Sequence, residues 1–318
     1  MNSAGKRLGA SLALLLTALI WGLAFTAQRN GMAHLGPSAF NAIRSFIGFF
    51  ALLPVIMVLD HCAGRRISIF GAVSGSPAGI RHLLSGGILC GIAMSGGSLL
   101  QQYGLVSVPA GKSGFLTSLY IVMVPVLGFF LKRKTAWTIW VAALAALFGT
   151  GLLCSAAGGM TLSIQTGDLL LLGCALMFSL QIMVIDRFAP QADCVRMSAI
   201  QFLLTALLSL AISLFTGESW AWSGICGAMA PLLYCGLGSS GIGYTLQVVG
   251  QKYVHPAAAS LLMSLEAVFA AFGGWLFLNE KMSGRELLGS AIIFAAVILA
   301  QLPPQWFQIF AGRRNSVS

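Results

Sequence analysis

Charge is what this chain has least of. Asp, Glu, Lys and Arg make up 8% of its 318 residues, where a water-soluble domain carries roughly a quarter. That scarcity excludes a soluble globule, and the 58% hydrophobic content shows what stands in its place. Histidine occurs four times, at His34, His61, His82 and His255, each in a loop or at the end of an apolar run. An intramembrane histidine relay is thereby excluded. None of the seven cysteines stands in CxxC spacing, so neither a disulfide framework nor a metal site is expected. The HExxH and GxxxxGK[ST] patterns are absent, which argues against a zinc hydrolase and a built-in ATPase. No cofactor is expected, and any pumping has to draw on an ion gradient.

Long apolar runs are present from one end to the other. A run of about 20 residues makes one bilayer crossing, and ten are read, near 8–28, 38–59, 82–104, 110–131, 135–154, 168–186, 197–215, 226–250, 256–278 and 284–304. The first is too long for a signal peptide, and no small-residue cleavage site follows Gln28 and Arg29. The formal charge of +10 need not mean a nucleic-acid partner. With the N-terminus inside, Lys6, Arg7, Arg65, Arg66, Arg81, Lys132, Arg133, Lys134, Arg187, Arg196, Lys252, Arg313 and Arg314 all fall on the cytoplasmic side. The positive-inside rule accounts for that excess. Both termini are expected in the cytoplasm, and no nucleic acid is expected as partner.

The second half repeats the first. At an offset of 146, Gly97, Gln101, Gly104, Leu116, Ser118, Leu119, Val122 and Gly128 meet Gly243, Gln247, Gly250, Leu262, Ser264, Leu265, Val268 and Gly274. Nearer the start the offset is 157, pairing Ala18, Leu19, Ala42 and Ile43 with Ala175, Leu176, Ala199 and Ile200. Five crossings reverse the chain's direction, so a duplicated five-helix unit sets its second copy upside down. The expected fold is an all-α integral membrane protein of ten transmembrane helices in two inverted five-helix repeats, 1–155 and 156–318. Secondary transporters are built this way, with a site near the bilayer midplane between the halves.

Polar residues in spans are costly, so their positions carry information. Glu266 lies deep in the ninth span among Leu261, Leu262, Leu265 and Val268, and at the 146 offset it meets Tyr120. Ser113, Thr117 and Tyr120 share a helical face in the fourth span; Ser240, Tyr244, Gln247 and Gln251 do so in the eighth, Ser98 and Gln101 in the third, and Thr17, Trp21, Phe25 and Gln28 in the first. A lone Ser or Gln in a membrane helix serves as interhelical glue; these four stripes and Glu266, with symmetry-related pairs among them, point to a cavity formed mainly by spans one, three, four, eight and nine. Arg44, six residues into the second span and aligned with Gln201, is read either as reaching the outer interface or as functional. Gly111-Lys112-Ser113-Gly114 and Gly238-Ser239-Ser240-Gly241 fit the GxSG pattern of intramembrane serine proteases, yet no span interior holds the histidine base such an enzyme needs. The chain is not expected to be an enzyme.

The run GKSGFLTSLYIVMVPVLGFFLK from Gly111, its repeat AAASLLMSLEAVFAAFGGWLFLNE from Ala257 to Glu280, the early Trp21-Gly22 with Phe25, and Arg44 resemble the drug/metabolite transporter superfamily, and within it the ten-helix EamA-type exporters. The family's Glu-Pro pair is matched by Glu266 followed by Ala267, and the first half carries Tyr120 and Lys134 where the second has acids. The resemblance implies a bacterial inner-membrane exporter of small metabolites such as amino acids. In the resulting expectation Trp21, Tyr120 and Tyr244 supply apolar or cation-π contacts, and Gln101 and Gln247 orient polar groups. Ser98, Ser113, Thr117 and Ser240 complete the site, and Glu266 binds an ammonium group or a coupling proton. The expected partners are that small solute and the lipid bilayer. Efflux of cationic compounds, and a non-transporting receptor or assembly factor on the same fold, are the alternatives.

Overall fold

The computed structural model describes residues 3–65, 67–68, 77–108, 110–133, 135–155, 165–278 and 283–301. Arg66, Lys134, the junction at 156, Glu280, Arg313 and Arg314 lie outside them. Among the described residues every regular element is helical. The first half contributes α1 (Ser3–Met32), α2 (Pro37–Cys62), α3 (Pro77–Ser107), α4 (Ala110–Ser118), α5 (Tyr120–Phe130) and α6 (Trp137–Ser155). The second contributes α7 (Thr166–Phe188), α8 (Cys194–Phe215), the short α9 (Trp222–Gly227) and α10 (Met229–Leu233), a π-helical segment (Tyr234–Tyr244), α11 (Thr245–Gln251), α12 (Pro256–Met263), α13 (Glu266–Leu278) and α14 (Gly284–Gln301). Seven helical stretches have the length and hydropathy of a bilayer crossing, and Trp137–Leu153 and Pro256–Phe272 form shorter apolar helices. The chain is a multi-pass membrane protein.

Packing follows the repeat. Helix α2 lies on α8 and α6 on α14, pairing equivalent elements of the two halves, while the contact of α3 with α7 is matched by that of α1 with the π-helical segment and α11. Where no hydrophobic effect drives helices together inside lipid, close backbone approach does so. At the α6 and α14 crossing, a Cβ on Gly149 would lie 2.8 Å from the Gly289 carbonyl oxygen. Only glycine fits there.

The repeat-related stretches 110–130 and 256–278 are each interrupted at the same repeat position. Ser118 donates its hydroxyl to the Phe115 carbonyl at 2.7 Å, and Ser264 donates to the Leu261 carbonyl at 2.7 Å. Such back-bonding competes with the helical ladder, and the next amides tighten to three-residue spacing: Leu119 to Leu116 at 3.3 Å and Leu265 to Leu262 at 3.3 Å. Helices α5 and α13 therefore restart at Tyr120 and Glu266. A serine at one repeat position marks both breaks, and each break is followed by a polar side chain, Tyr120 or Glu266, that lines the cavity between the halves.

The α2 and α8 pair is fixed at both ends by carboxylates on repeat-equivalent amides. Asp193 accepts from the amides of Val195 and Arg196, both at 3.1 Å. Glu218 accepts from those of Ser38, at 3.1 Å, and Ala39, at 2.6 Å. Both satisfy helix N-terminal donors that would otherwise lack partners. At the Asp193 end a buried ion pair joins Arg196 to Asp60, so this pair of helices is braced at both ends.

Candidate functional site

A cavity lies between the halves. Its wall follows the repeat: Trp21 and Phe178, Ala24 and Gln181, and Phe25 and Ile182 are related by the 157 offset; Gln101 and Gln247, Thr117 and Met263, and Tyr120 and Glu266 by the 146 offset. The four other lining residues are Gln28, Arg44, Ser239 and Tyr244. About 30 Å³ of it is open to a water centre, room for one or two waters.

The structure brings together seven of the ten residues expected at the site: Glu266, Tyr120, Gln101, Gln247, Tyr244, Trp21 and Thr117. Glu266, 7% exposed, accepts a hydrogen bond from the Tyr120 hydroxyl at 3.1 Å. Trp21 packs against Tyr244 with ring centroids 4.4 Å apart and donates its indole N–H to the Ser239 carbonyl at 3.4 Å. Gln247 is buried, and its Oε1 has no hydrogen-bond partner among the described residues. A buried acceptor left open asks for a donor from water or solute.

Ser98, Ser113 and Ser240 are buried but do not line the cavity. Ser113 donates to the Val108 carbonyl at 3.2 Å, and Ser98 accepts from Asn41 Nδ2 at 2.9 Å. Ser240 packs instead against Gly48 of α2. Ser239, its neighbour in the π-helical segment, lines the cavity with Tyr244.

Two elements join the wall beyond the five spans expected. Helix α7 supplies Phe178, Gln181 and Ile182, and α2 supplies Arg44. The signal for α7 was present in the sequence, since the 157 offset carries Trp21, Ala24 and Phe25 onto those positions. Arg44 does not reach the outer interface; it is 2% exposed within the bundle. Its Nε donates to Asn41 Oδ1 at 2.8 Å and its Nη1 to Gln28 Oε1 at 3.1 Å, and Gln28 Oε1 also accepts from Gln102 Nε2. This amide network was not legible as a stripe because it joins α1, α2 and α3.

A family model described as the EamA-like transporter family matches residues 8–155 and again 165–302. A transporter described as uncharacterized from Archaeoglobus fulgidus is 27% identical over 93% of this chain and 87% of its own length. The transporter YoaV of Bacillus subtilis, similarly described, is 23% identical over 91% of this chain and 95% of its own. A crystal structure at 20% identity superposes with a TM-score of 0.73, covering 92% of this chain and 96% of the other; at that identity it speaks for the fold. The chain belongs to the EamA-like transporter family.

Proposed function

We propose that this EamA-family chain is a secondary exporter. It carries a small amphipathic metabolite, amino-acid-like in size and polarity, across the bacterial inner membrane by alternating access. Its units are 1–155 and the inverted 156–318, with both termini cytoplasmic. The observation that carries this reading is the cavity wall of six repeat-related residue pairs. A wall built in symmetric pairs sits on the axis about which two halves rock, so the same side chains face either side of the membrane in turn.

Within it, Glu266 is the site for the solute's ammonium group or for a coupling proton, since an acid at mid-membrane is costly unless function uses it. Tyr120 positions that carboxyl, and Trp21 and Tyr244 offer ring faces to a cation. The same rings beside an acid favour efflux of organic cations as a second reading.

Proteoliposomes carrying the full chain, with and without an imposed pH gradient, test the proposal by uptake of a radiolabelled amino-acid panel. Wild type is expected to move at least one member, faster with the gradient, and Glu266→Gln to lose the acceleration. Unchanged flux and unchanged gradient response in Glu266→Gln would reduce Glu266 to a structural role.

A further inference from the structure

The cavity is lined by two charged side chains, Arg44 and Glu266, and at both the repeat symmetry fails. Their counterparts are the neutral Gln201 and Tyr120. The two are not paired with each other: Glu266 takes its hydrogen bond from Tyr120, and Arg44 gives its own to Asn41 and Gln28. Both of these acceptors are neutral amide oxygens. A guanidinium has five N–H donors, two of which these amides take, and among the described residues no carboxylate pairs with its charge although the side chain is 2% exposed.

A buried cation without a counter-ion is costly to keep. The protein nevertheless holds this one firmly. Asn41, which fixes the guanidinium, is itself fixed by Ser98 at 2.9 Å and Ser209 at 2.8 Å. The positioning network thus spans α2, α3 and α8, and what it positions is a planar donor set suited to a carboxylate.

We propose that Arg44 is the anion anchor of the transported solute, so that the substrate class is a zwitterion whose carboxylate lies against Arg44 and whose ammonium faces Glu266. The assignment rests on the transport reading above and separates its two versions. A plain organic cation would leave Arg44 unpaired and add like charge to the cavity.

The test is equilibrium binding to the purified full chain in detergent micelles, using matched pairs that differ by the carboxylate: alanine and ethylamine, leucine and isoamylamine, phenylalanine and phenethylamine. Wild type is expected to bind at least one acid about tenfold or more tighter than its amine. Arg44→Gln should erase the ratio by weakening the acid at least about thirtyfold, as loss of one partner of a buried charged pair does, with the amine held or improved. Arg44→Lys, which keeps the charge but loses the fork, should show an intermediate ratio. Amines binding as well as acids in wild type, or both weakening equally in Arg44→Gln, overturns the assignment; the wild-type comparison decides alone if the variants do not fold. If wild type binds amines only, the cavity remains a transport site and Arg44 loses its role. If it binds none of the six, the amino-acid reading falls with it.

Discussion

Replacing Gly22 by Ala puts a methyl group where α1 meets α13 backbone to backbone. A Cβ there would lie 2.6 Å from the Glu266 carbonyl oxygen and 2.8 Å from the Ala270 amide nitrogen, where ordinary contact begins at 3.4 Å, so the approach is about 0.8 Å too close. Neither neighbour is a side chain able to rotate away. The helices have to separate, and Glu266 travels with its own backbone. Lengthening its 3.1 Å bond from Tyr120 by that amount gives about 3.9 Å, outside hydrogen-bonding range. Overpacking costs about 1–3 kcal/mol and the lost bond about 1 kcal/mol. Alanine's better helix propensity returns about 1 kcal/mol, but Gly9→Ala, on the same helix with nothing within 4 Å, collects that gain without the clash. Comparing the two variants cancels propensity. Gly22→Ala should therefore unfold about 2–4 kcal/mol more easily than Gly9→Ala, measured by reversible denaturant unfolding in micelles. If the two agree within about 0.5 kcal/mol, the close approach that seats Glu266 is not there.

Tyr120→Phe removes the donor to Glu266 and should cost about 1–3 kcal/mol by the same unfolding measurement; combined with Glu266→Gln, the loss should fall short of the sum of the single changes, as for groups in direct contact. Glu218→Ala strips the carboxylate from the Ser38 and Ala39 amides and should lower stability by about 1–2 kcal/mol, with faster hydrogen exchange confined to the first turn of α2. His255, half-buried in the turn before α12, is held below its ordinary value of 6.5 by burial. The folded state then favours the neutral ring, so stability should be flat at neutral pH and above and decline as pH falls below about 6.5. In thermal melts against pH, His255→Gln should lose that part of the decline.

The helices were legible because apolar runs of bilayer length have no other use, and the pairing of Tyr120 with Glu266 was legible because the 146 offset of the duplication sets one against the other. Arg44 was not, since its position six residues into the span fits a snorkelling side chain as well as a buried one; the amides that hold it come partly from other helices. Ser113 and Ser98 shared helical faces with cavity residues but bond to a carbonyl and to Asn41 instead. A short hydroxyl finds such partners close by, so helical spacing alone overcounts it. Ser240 is taken up by packing on Gly48 of α2, and its neighbour Ser239 lines the cavity. The wall from α7 was available by carrying Trp21, Ala24 and Phe25 across the repeat, which shows that symmetry located the cavity better than polarity did.

Alternating access requires the paired wall to face each side of the membrane in turn. Single cysteines at the repeat partners Thr117 and Met263, in a background freed of the seven native cysteines, can be labelled with a membrane-impermeant thiol reagent in vesicles of known orientation. Each position should be labelled from both faces and be protected by transported solute. Labelling of both positions from one face only, indifferent to solute, would contradict alternating access.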